Sequence, residues 1–133
     1  MKHRNVLLID DDPIFNIITR KTLERIQFAD KITTMTSAAS ALRYLSETGQ
    51  DTAKLPDLIF LDLRMLEMSG FDFLEEYAKM PEKIKKASKI LILTSSDNKE
   101  DIDRLTSNPY VIRYLSKPLD AQQLTGLESR TGT

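Results

Sequence analysis

Several features are absent from this chain, and each absence excludes a class of protein. There is no cysteine, which excludes disulfides and thiolate metal sites and makes the cytoplasm the expected compartment. No apolar stretch approaches the roughly 18 residues of a membrane-spanning helix, and the apolar run behind the basic N-terminus is too short for a secretory signal. The 19 basic and 20 acidic residues leave a net charge of −1, without the basic surplus typical of nucleic-acid binding. We therefore expect neither membrane insertion nor direct contact with nucleic acid.

The length and composition predict a single globular domain. The chain has 133 residues, of which 41% are hydrophobic and 29% charged, so it can bury a core. We expect residues 1–128 to form the domain and residues 129–133 to be a disordered tail. The single histidine, His3, is close to the terminus, and we expect no catalytic role for it.

Short apolar runs alternate along the chain with segments that favour helices. The apolar runs predict β-strands at Asn5–Asp10, Lys31–Thr36, Asp57–Asp62, Lys89–Thr94 and Tyr110–Leu115. After Pro13, a first helix is predicted because five residues recur at helical spacing, namely Ile14, Ile17, Ile18, Thr22 and Ile26. Further helices are predicted after Ser37, after Gly70, after Asp97 or Asn98, and from Asp120 through Leu127, whereas Glu82–Ser88 resembles a solvated connector.

This alternation predicts an α/β fold, a (βα)5 doubly wound sandwich with helices on both faces of a parallel sheet. Five strands suggest the flavodoxin-like order 2-1-3-4-5, which we take from known folds of this size. Strands one and three are neighbours in that order, and both end in aspartate: Asp10 and Asp11 follow the first, and Asp62 ends the third. Two carboxylates about 5 Å apart repel by roughly 3 kcal/mol at an effective dielectric constant near 20. The sequence therefore predicts an acidic, cation-binding pocket, whereas Asp12, just before Pro13, is expected to belong to the start of a helix.

Polar residues at two further strand ends make a family resemblance specific. Thr94 ends strand four, and Ser116-Lys117-Pro118 follows strand five. The segments VLLIDDDP, LIFLDLRMLEMSG, ILILTSS and YLSKPL together resemble the receiver domain of two-component response regulators in order, spacing and strand register. The resemblance covers nearly the whole chain.

The resemblance implies a role for each strand-end residue. Asp62 would be the phosphoacceptor, with Lys117 and Thr94 assisting the reaction. Mg2+ would be bound by Asp11 directly, by Asp10 through water, by Asp62, and by the backbone carbonyl of Arg64. Thr94 and Tyr114 would form the switch: Thr94 would move toward the phosphoryl group and vacate space for Tyr114. The changed face would be built from the helix before strand five, strand five itself and the helix after it.

The implied protein is a cytoplasmic phosphoprotein that acts as a regulator and not as an enzyme. It would take a phosphoryl group from a sensor histidine kinase or a phosphotransfer protein and signal by contact with a downstream protein, as a monomer or weak homodimer. We expect no output domain after the receiver domain. One alternative is a receiver fold that serves only as a phosphorylation-independent interaction module. Another is a Mg2+-dependent phosphatase with an aspartyl nucleophile, but enzymes of the haloacid-dehalogenase type usually have a second aspartate where this chain has Arg64.

Arg64 and Leu66, both in the segment that follows Asp62, depart from the family pattern. Leu66 stands where many receivers have proline, so we expect a less constrained loop. Arg64 is bulky and cationic where smaller or neutral side chains are common. It is expected either to screen the phosphoryl group or to obstruct attacking water, so the lifetime of the phosphoryl group is left open.

Overall fold

Five strands form one sheet in the computed structural model, which describes residues 3–65, 67–94, 98–117 and 119. The strands are β1 His3–Ile9, β2 Ala29–Met35, β3 Leu58–Leu61, β4 Lys89–Thr94 and β5 Val111–Ser116. They lie in the order β2-β1-β3-β4-β5, and each neighbouring pair is parallel. The predicted α/β class, parallel sheet and flavodoxin-like 2-1-3-4-5 order are confirmed, and no strand end differs from its predicted position by more than two residues.

Helices cover both faces of this sheet. The described α-helices are α1 Pro13–Arg25, α2 Ala38–Thr48, α3 Gly70–Ala78, α4 Glu82–Ala87 and α5 Lys99–Thr106, with a short 3-10 turn at Thr52–Lys54. Side chains that accept hydrogen bonds from the first backbone N–H groups begin four of them, namely Asp12, Ser37, Ser69 and Asn98. Such caps satisfy donors that have no partner within the helix. The predicted place of Asp12 at the start of a helix is confirmed.

Alternate residues of the central strands build two cores. In β1, Leu7 and Ile9 face one cluster of buried residues, whereas Val6 and Leu8 face the cluster on the other side. All four residues of β3 are buried, as expected for a central parallel strand with helices on both faces. The residues that follow β1 and β3 are therefore held by a rigid, buried scaffold.

The first helix is confirmed, but the isoleucines that indicate it do not form its buried face. Ile14, Ile17 and Ile18 are 67%, 54% and 50% exposed. The buried face instead carries Asn16, Thr19, Thr22 and Leu23. Asn16 explains this orientation, because its amide donates hydrogen bonds to the backbone oxygens of Asp10 and Met35 at 3.0 and 3.3 Å.

The expectation of a solvated connector at residues 82–88 is wrong. Residues Glu82–Ala87 form α4, and Ile84 is buried. Lys85 is also not a solvated surface residue: its ammonium group donates to the backbone oxygen of Ala78 at 2.9 Å and to the Tyr110 hydroxyl at 3.3 Å. Only Ile84 and Ala87 are apolar in this charged segment, too few to show a helical period, and both pack against the core.

Some predicted features lie outside the described residues. These are the last helix from Asp120, the tail at 129–133 and the loop position of Leu66. Within the described ranges, no helix combines the length and the apolar character needed to cross a membrane.

Candidate functional site

The ends of β1 and β3 bring three carboxylates together. Ile9 pairs with Leu61, and the backbone N–H of Asp62 donates to the oxygen of Ile9 at 3.0 Å, so Asp10 and Asp62 lie side by side. Asp10, Asp11 and Asp62 each offer a carboxylate oxygen within 4.8 Å of the others. Asp10 and Asp62 are buried and Asp11 is half-buried. The pocket expected from the two aspartate-ended strands is therefore present at the carboxyl edge of the sheet.

Lys117 brings a positive charge to this cluster from the far strand of the sheet. It follows β5, and its backbone N–H donates to the oxygen of Thr94 at 2.8 Å. Its ammonium nitrogen lies 2.7 Å from Oδ2 of Asp10 and 3.4 Å from Oδ2 of Asp62. Lys117 thus contacts both buried carboxylates, and the shorter contact is with Asp10. The same nitrogen lies 4.2 Å from the centroid of the Phe15 ring, a cation–π contact that covers its other side.

Asp62 is the carboxyl group whose protonation the site perturbs most clearly. The pKa of Asp62 is raised from 3.8 to about 6, mainly by burial and further by the negative charge of Asp10. The charge and hydrogen bond of Lys117, and a hydrogen bond from the backbone N–H of Arg64, act in the opposite direction and lower this pKa. The net rise means that burial and the charge of Asp10 disfavour the ionised carboxylate more than Lys117 and Arg64 favour it.

The consecutive residues Asp10, Asp11 and Asp12 differ from Asp62 in their contacts. One oxygen of Asp10 accepts the backbone N–H of Asp12 at 3.0 Å, and the other oxygen is the one beside Lys117. Asp12 itself accepts from Ile14 and Phe15 as the cap of α1. Asp11 is the most solvent-accessible of the three clustered carboxylates, since the other two are buried. It is therefore the one that a cation from solution reaches first.

Thr94 and Tyr114 lie on neighbouring strands near this edge. Thr94 ends β4 and is buried, whereas Tyr114 in β5 is 37% exposed and pairs with Ile92. Tyr114 also lines a surface cavity of about 150 Å3 with Leu105 and Ile112, among others. The ring of the predicted switch aromatic is therefore turned partly to solvent in this structure.

Arg64 lies at the site but directs its charge elsewhere. Its backbone N–H bonds to the Asp62 carboxylate, whereas its guanidinium group forms an ion pair with the carboxylate of Asp101 in α5. The positive charge of Arg64, which was expected to act on the phosphoryl group, is thus paired with an acidic residue of α5. No sequence signal singles out Asp101 for this contact, because Glu100 and Asp101 are both acidic residues in the first turn of the same helix.

Two further residues support the site but were not predicted from the sequence. Phe15 supports Lys117, and Asn16 ties α1 to the backbone of Asp10. A sequence signal exists for Asn16, since Asn16, Thr19 and Leu23 are spaced as one face of a helix. The isoleucines of the same helix are more apolar, and their helical spacing therefore predicts a different buried face.

Comparison with known proteins identifies the chain. The sequence model of the response regulator receiver domain matches residues 6–127. This chain belongs to the response regulator receiver domain family. Among curated proteins, this receiver domain is similar to the probable methanogenesis regulatory protein FilR2 of Methanothrix harundinacea. The two are 30% identical over 119 residues, which cover 90% of this chain and 75% of FilR2.

Solved structures agree with this assignment. A two-component response regulator from Cytophaga hutchinsonii is 28% identical, with a TM-score of 0.90 over 98% of this chain and 97% of that one. A response regulator receiver protein from Dyadobacter fermentans is 29% identical, with a TM-score of 0.84 over 96% of both chains. The resemblance to receiver domains inferred from the four segments is confirmed.

Proposed function

We propose that Asp62 of this receiver domain accepts a phosphoryl group from a phosphohistidine protein in a Mg2+-dependent reaction. The observation that supports this most strongly is the grouping of Asp10, Asp11, Asp62 and Lys117 at one sheet edge. Three acids and one cation leave the group short of positive charge, and a lone aspartate that merely closed a strand would have no reason to lie in such a group. The domain acts as a phosphoacceptor regulator, with no other reaction assigned to it.

The three carboxylates fit a magnesium ion. They supply the hard oxygen ligands that Mg2+ prefers, and Mg2+ is usually held by one or two carboxylates while it keeps several waters. The raised pKa of Asp62 agrees with this fit, because burial and the negative charge of Asp10 disfavour the ionised carboxylate and a bound cation would favour it. We assign Asp11 as the direct ligand, Asp10 as a ligand through water, and Asp62 and the carbonyl of Arg64 as further ligands. A bound Mg2+ would supply positive charge to the oxygens of the phosphoryl group.

The transfer itself is a displacement at phosphorus. A carboxylate oxygen of Asp62 attacks, an O–P bond forms, and the P–N bond of the phosphohistidine breaks with its electron pair passing to the imidazole nitrogen. Such a reaction depends mainly on positioning and on neutralising charge. Lys117 serves both needs, because its ammonium group already contacts Asp62 and Asp10 and can follow the phosphoryl oxygens.

Signalling follows from the charge that the reaction adds. An aspartyl phosphate brings about −1.5 to −2 charges to the end of β3, as phosphorylation of other side chains does. We infer that the hydroxyl of the buried Thr94 moves to bond this group and that the partly exposed Tyr114 ring then turns inward. The face formed by α5, β5 and the segment after it would change for a downstream protein in the cytoplasm.

The test is direct labelling of the purified chain. Phosphoramidate, a small donor with a P–N bond, is added with Mg2+, and intact mass spectrometry follows the protein. We expect the wild type to gain the mass of one phosphoryl group, and to lose this gain when EDTA removes the metal. Asp62→Asn should show no gain. Asp12→Asn is the matched control and should label like the wild type, because asparagine caps a helix as well as aspartate does.

Equal labelling of wild type and Asp62→Asn would contradict the assignment of the acceptor. Absence of labelling together with absence of Mg2+ binding would favour the phosphorylation-independent interaction module. Binding is measured by calorimetric titration of Mg2+ into the wild type and into Asp11→Asn, and we expect the variant to bind at least tenfold more weakly, a loss of about 1.4 kcal/mol.

A further inference from the structure

Arg64 connects the phosphoacceptor to α5. Its backbone N–H bonds to the Asp62 carboxylate, and its side chain pairs with Asp101, 37 residues further along the chain. The Asp101 side chain is only 10% exposed, whereas that of Arg64 is 64% exposed. One residue therefore contacts the reacting group through its main chain and a buried acid of a neighbouring helix through its guanidinium group.

A second arginine holds the same helix by a different contact. The guanidinium carbon of Arg104, in the last turn of α5, lies 3.8 Å from the centroid of the Phe71 ring at the start of α3. Leu105 of α5 is buried in the core. Of these contacts of α5, only the pair between Arg64 and Asp101 leads to Asp62, so this pair can respond to a change of charge there.

We propose that Asp101 is a positioning residue that holds the Arg64 guanidinium away from Asp62 at rest and yields it to the phosphoryl group after transfer. The proposal rests on the proposed function of Asp62 as the acceptor. A phosphoryl group carries more negative charge than the Asp101 carboxylate and offers oxygens that arginine binds with two hydrogen bonds. The two anions compete for one guanidinium group whose backbone already lies against Asp62.

Two consequences follow from this competition. The ion pair between Arg64 and Asp101 stabilises the unphosphorylated protein. Arg64 must therefore break this ion pair before it can bind the phosphoryl group. When Arg64 leaves, the first turn of α5 loses its contact with the loop after β3, while Arg104 keeps the last turn on Phe71. Phosphorylation of Asp62 is thereby coupled to the mobility of the first turn of α5. This coupling does not pass through Thr94 or Tyr114.

The first experiment is a double-mutant cycle on the lifetime of the aspartyl phosphate. The protein is labelled with phosphoramidate and Mg2+, the donor is removed by desalting, and intact mass spectrometry follows the decay. Asp101→Asn should lengthen the lifetime about two- to fivefold, the range that a partly exposed ion pair can supply. Arg64→Gln should shorten it, and adding Asp101→Asn to Arg64→Gln should change nothing further. Glu100→Gln, the same charge change in the same turn of α5, should leave the lifetime as in the wild type.

The second experiment follows α5 by amide hydrogen exchange before and after labelling, and does not need the Asp101 variant to fold. In the wild type, exchange in the first turn of α5 should rise on phosphorylation. In Arg64→Gln it should already be fast before labelling and should not rise further. Arg104→Gln should loosen the last turn without altering the lifetime of the phosphoryl group.

These experiments distinguish a failure of the proposed function from a failure of the coupling through Arg64. If the wild type takes no label, the proposed function fails and this coupling fails with it. If the wild type labels normally but Asp101→Asn acts equally with and without Arg64, or if α5 exchange is the same before and after labelling in the wild type, only the coupling through Arg64 is overturned.

Discussion

The free energy of unfolding should rise when Asp62 loses its charge. Asp62 is buried beside Asp10, and burial, with that neighbouring charge, raises the pKa of Asp62 to about 6 despite the opposing effect of Lys117. Folding therefore disfavours the ionised form that is present at neutral pH. Asp62→Asn removes that ionisation and keeps the shape of the side chain, so the variant should be more stable than the wild type at pH 7.

The size of this effect follows from the pKa change. A pKa that rises from 3.8 to about 6 on folding corresponds to roughly 3 kcal/mol, at about 1.4 kcal/mol for each unit. Well below pH 4 the carboxyl group of Asp62 is protonated in both the folded and the unfolded chain, so the penalty is absent. Between pH 4 and 6 the unfolded chain releases the proton while the folded chain keeps it, and stability falls. Above pH 6 the penalty is complete.

The assay is urea unfolding of the wild type and of Asp62→Asn at pH values from 4 to 8, with EDTA present. The stability difference should be about 0.5 kcal/mol at pH 4 and approach about 3 kcal/mol at pH 7. Asp103→Asn, which changes an exposed aspartate of α5, is the control and should show no such pH dependence. Replacing EDTA by Mg2+ should stabilise the wild type and narrow the gap, because the cation offsets the charge of the acids.

Two results would refute this reasoning. One is an Asp62→Asn variant that is no more stable than the wild type at pH 7. The other is a difference that stays constant between pH 4 and 7, because a constant difference reports changed packing and not the titration of this carboxyl group.

Two predictions concern the backbone. A Cβ on Gly70 would lie 2.6 Å from the backbone oxygen of Asp62. Gly70→Ala should therefore lower the free energy of unfolding by about 1–3 kcal/mol, measured by urea unfolding. It should also slow phosphoryl labelling, measured by mass spectrometry. Gly49→Ala is its control and should cost less, since the nearest atom is the movable end of the Ile84 side chain; equal costs would contradict this explanation. Gln27 has a φ of 53° just after α1, so Gln27→Gly should raise the unfolding free energy by about 1 kcal/mol, whereas an unchanged urea midpoint would show that the turn is unstrained.

Much of the fold could be predicted because its signals are local in the chain. Each central strand is a short apolar run bounded by polar residues, and that pattern depends only on neighbours. The signal weakens where tertiary contacts decide the outcome. The α4 segment, in which only Ile84 and Ala87 are apolar among charged residues, is helical because Ile84 is buried in the core. In α1, the hydrogen bonds of Asn16 outweigh the apolar spacing of the isoleucines.

The apolar runs alone predicted two strands that end in acids, and the borrowed strand order with the resemblance to receiver domains predicted that these acids meet a lysine after a third strand, because parallel strands bring their carboxyl ends to one edge of the sheet. How the charges are shared at that edge is visible only from the packing of the folded chain. Lys117 lies closer to Asp10 than to Asp62, and Arg64 pairs with Asp101 and not with the acids beside it. Distances of a few ångströms between side chains set these choices, and such distances depend on how whole helices pack against the sheet, which no local pattern of residues records.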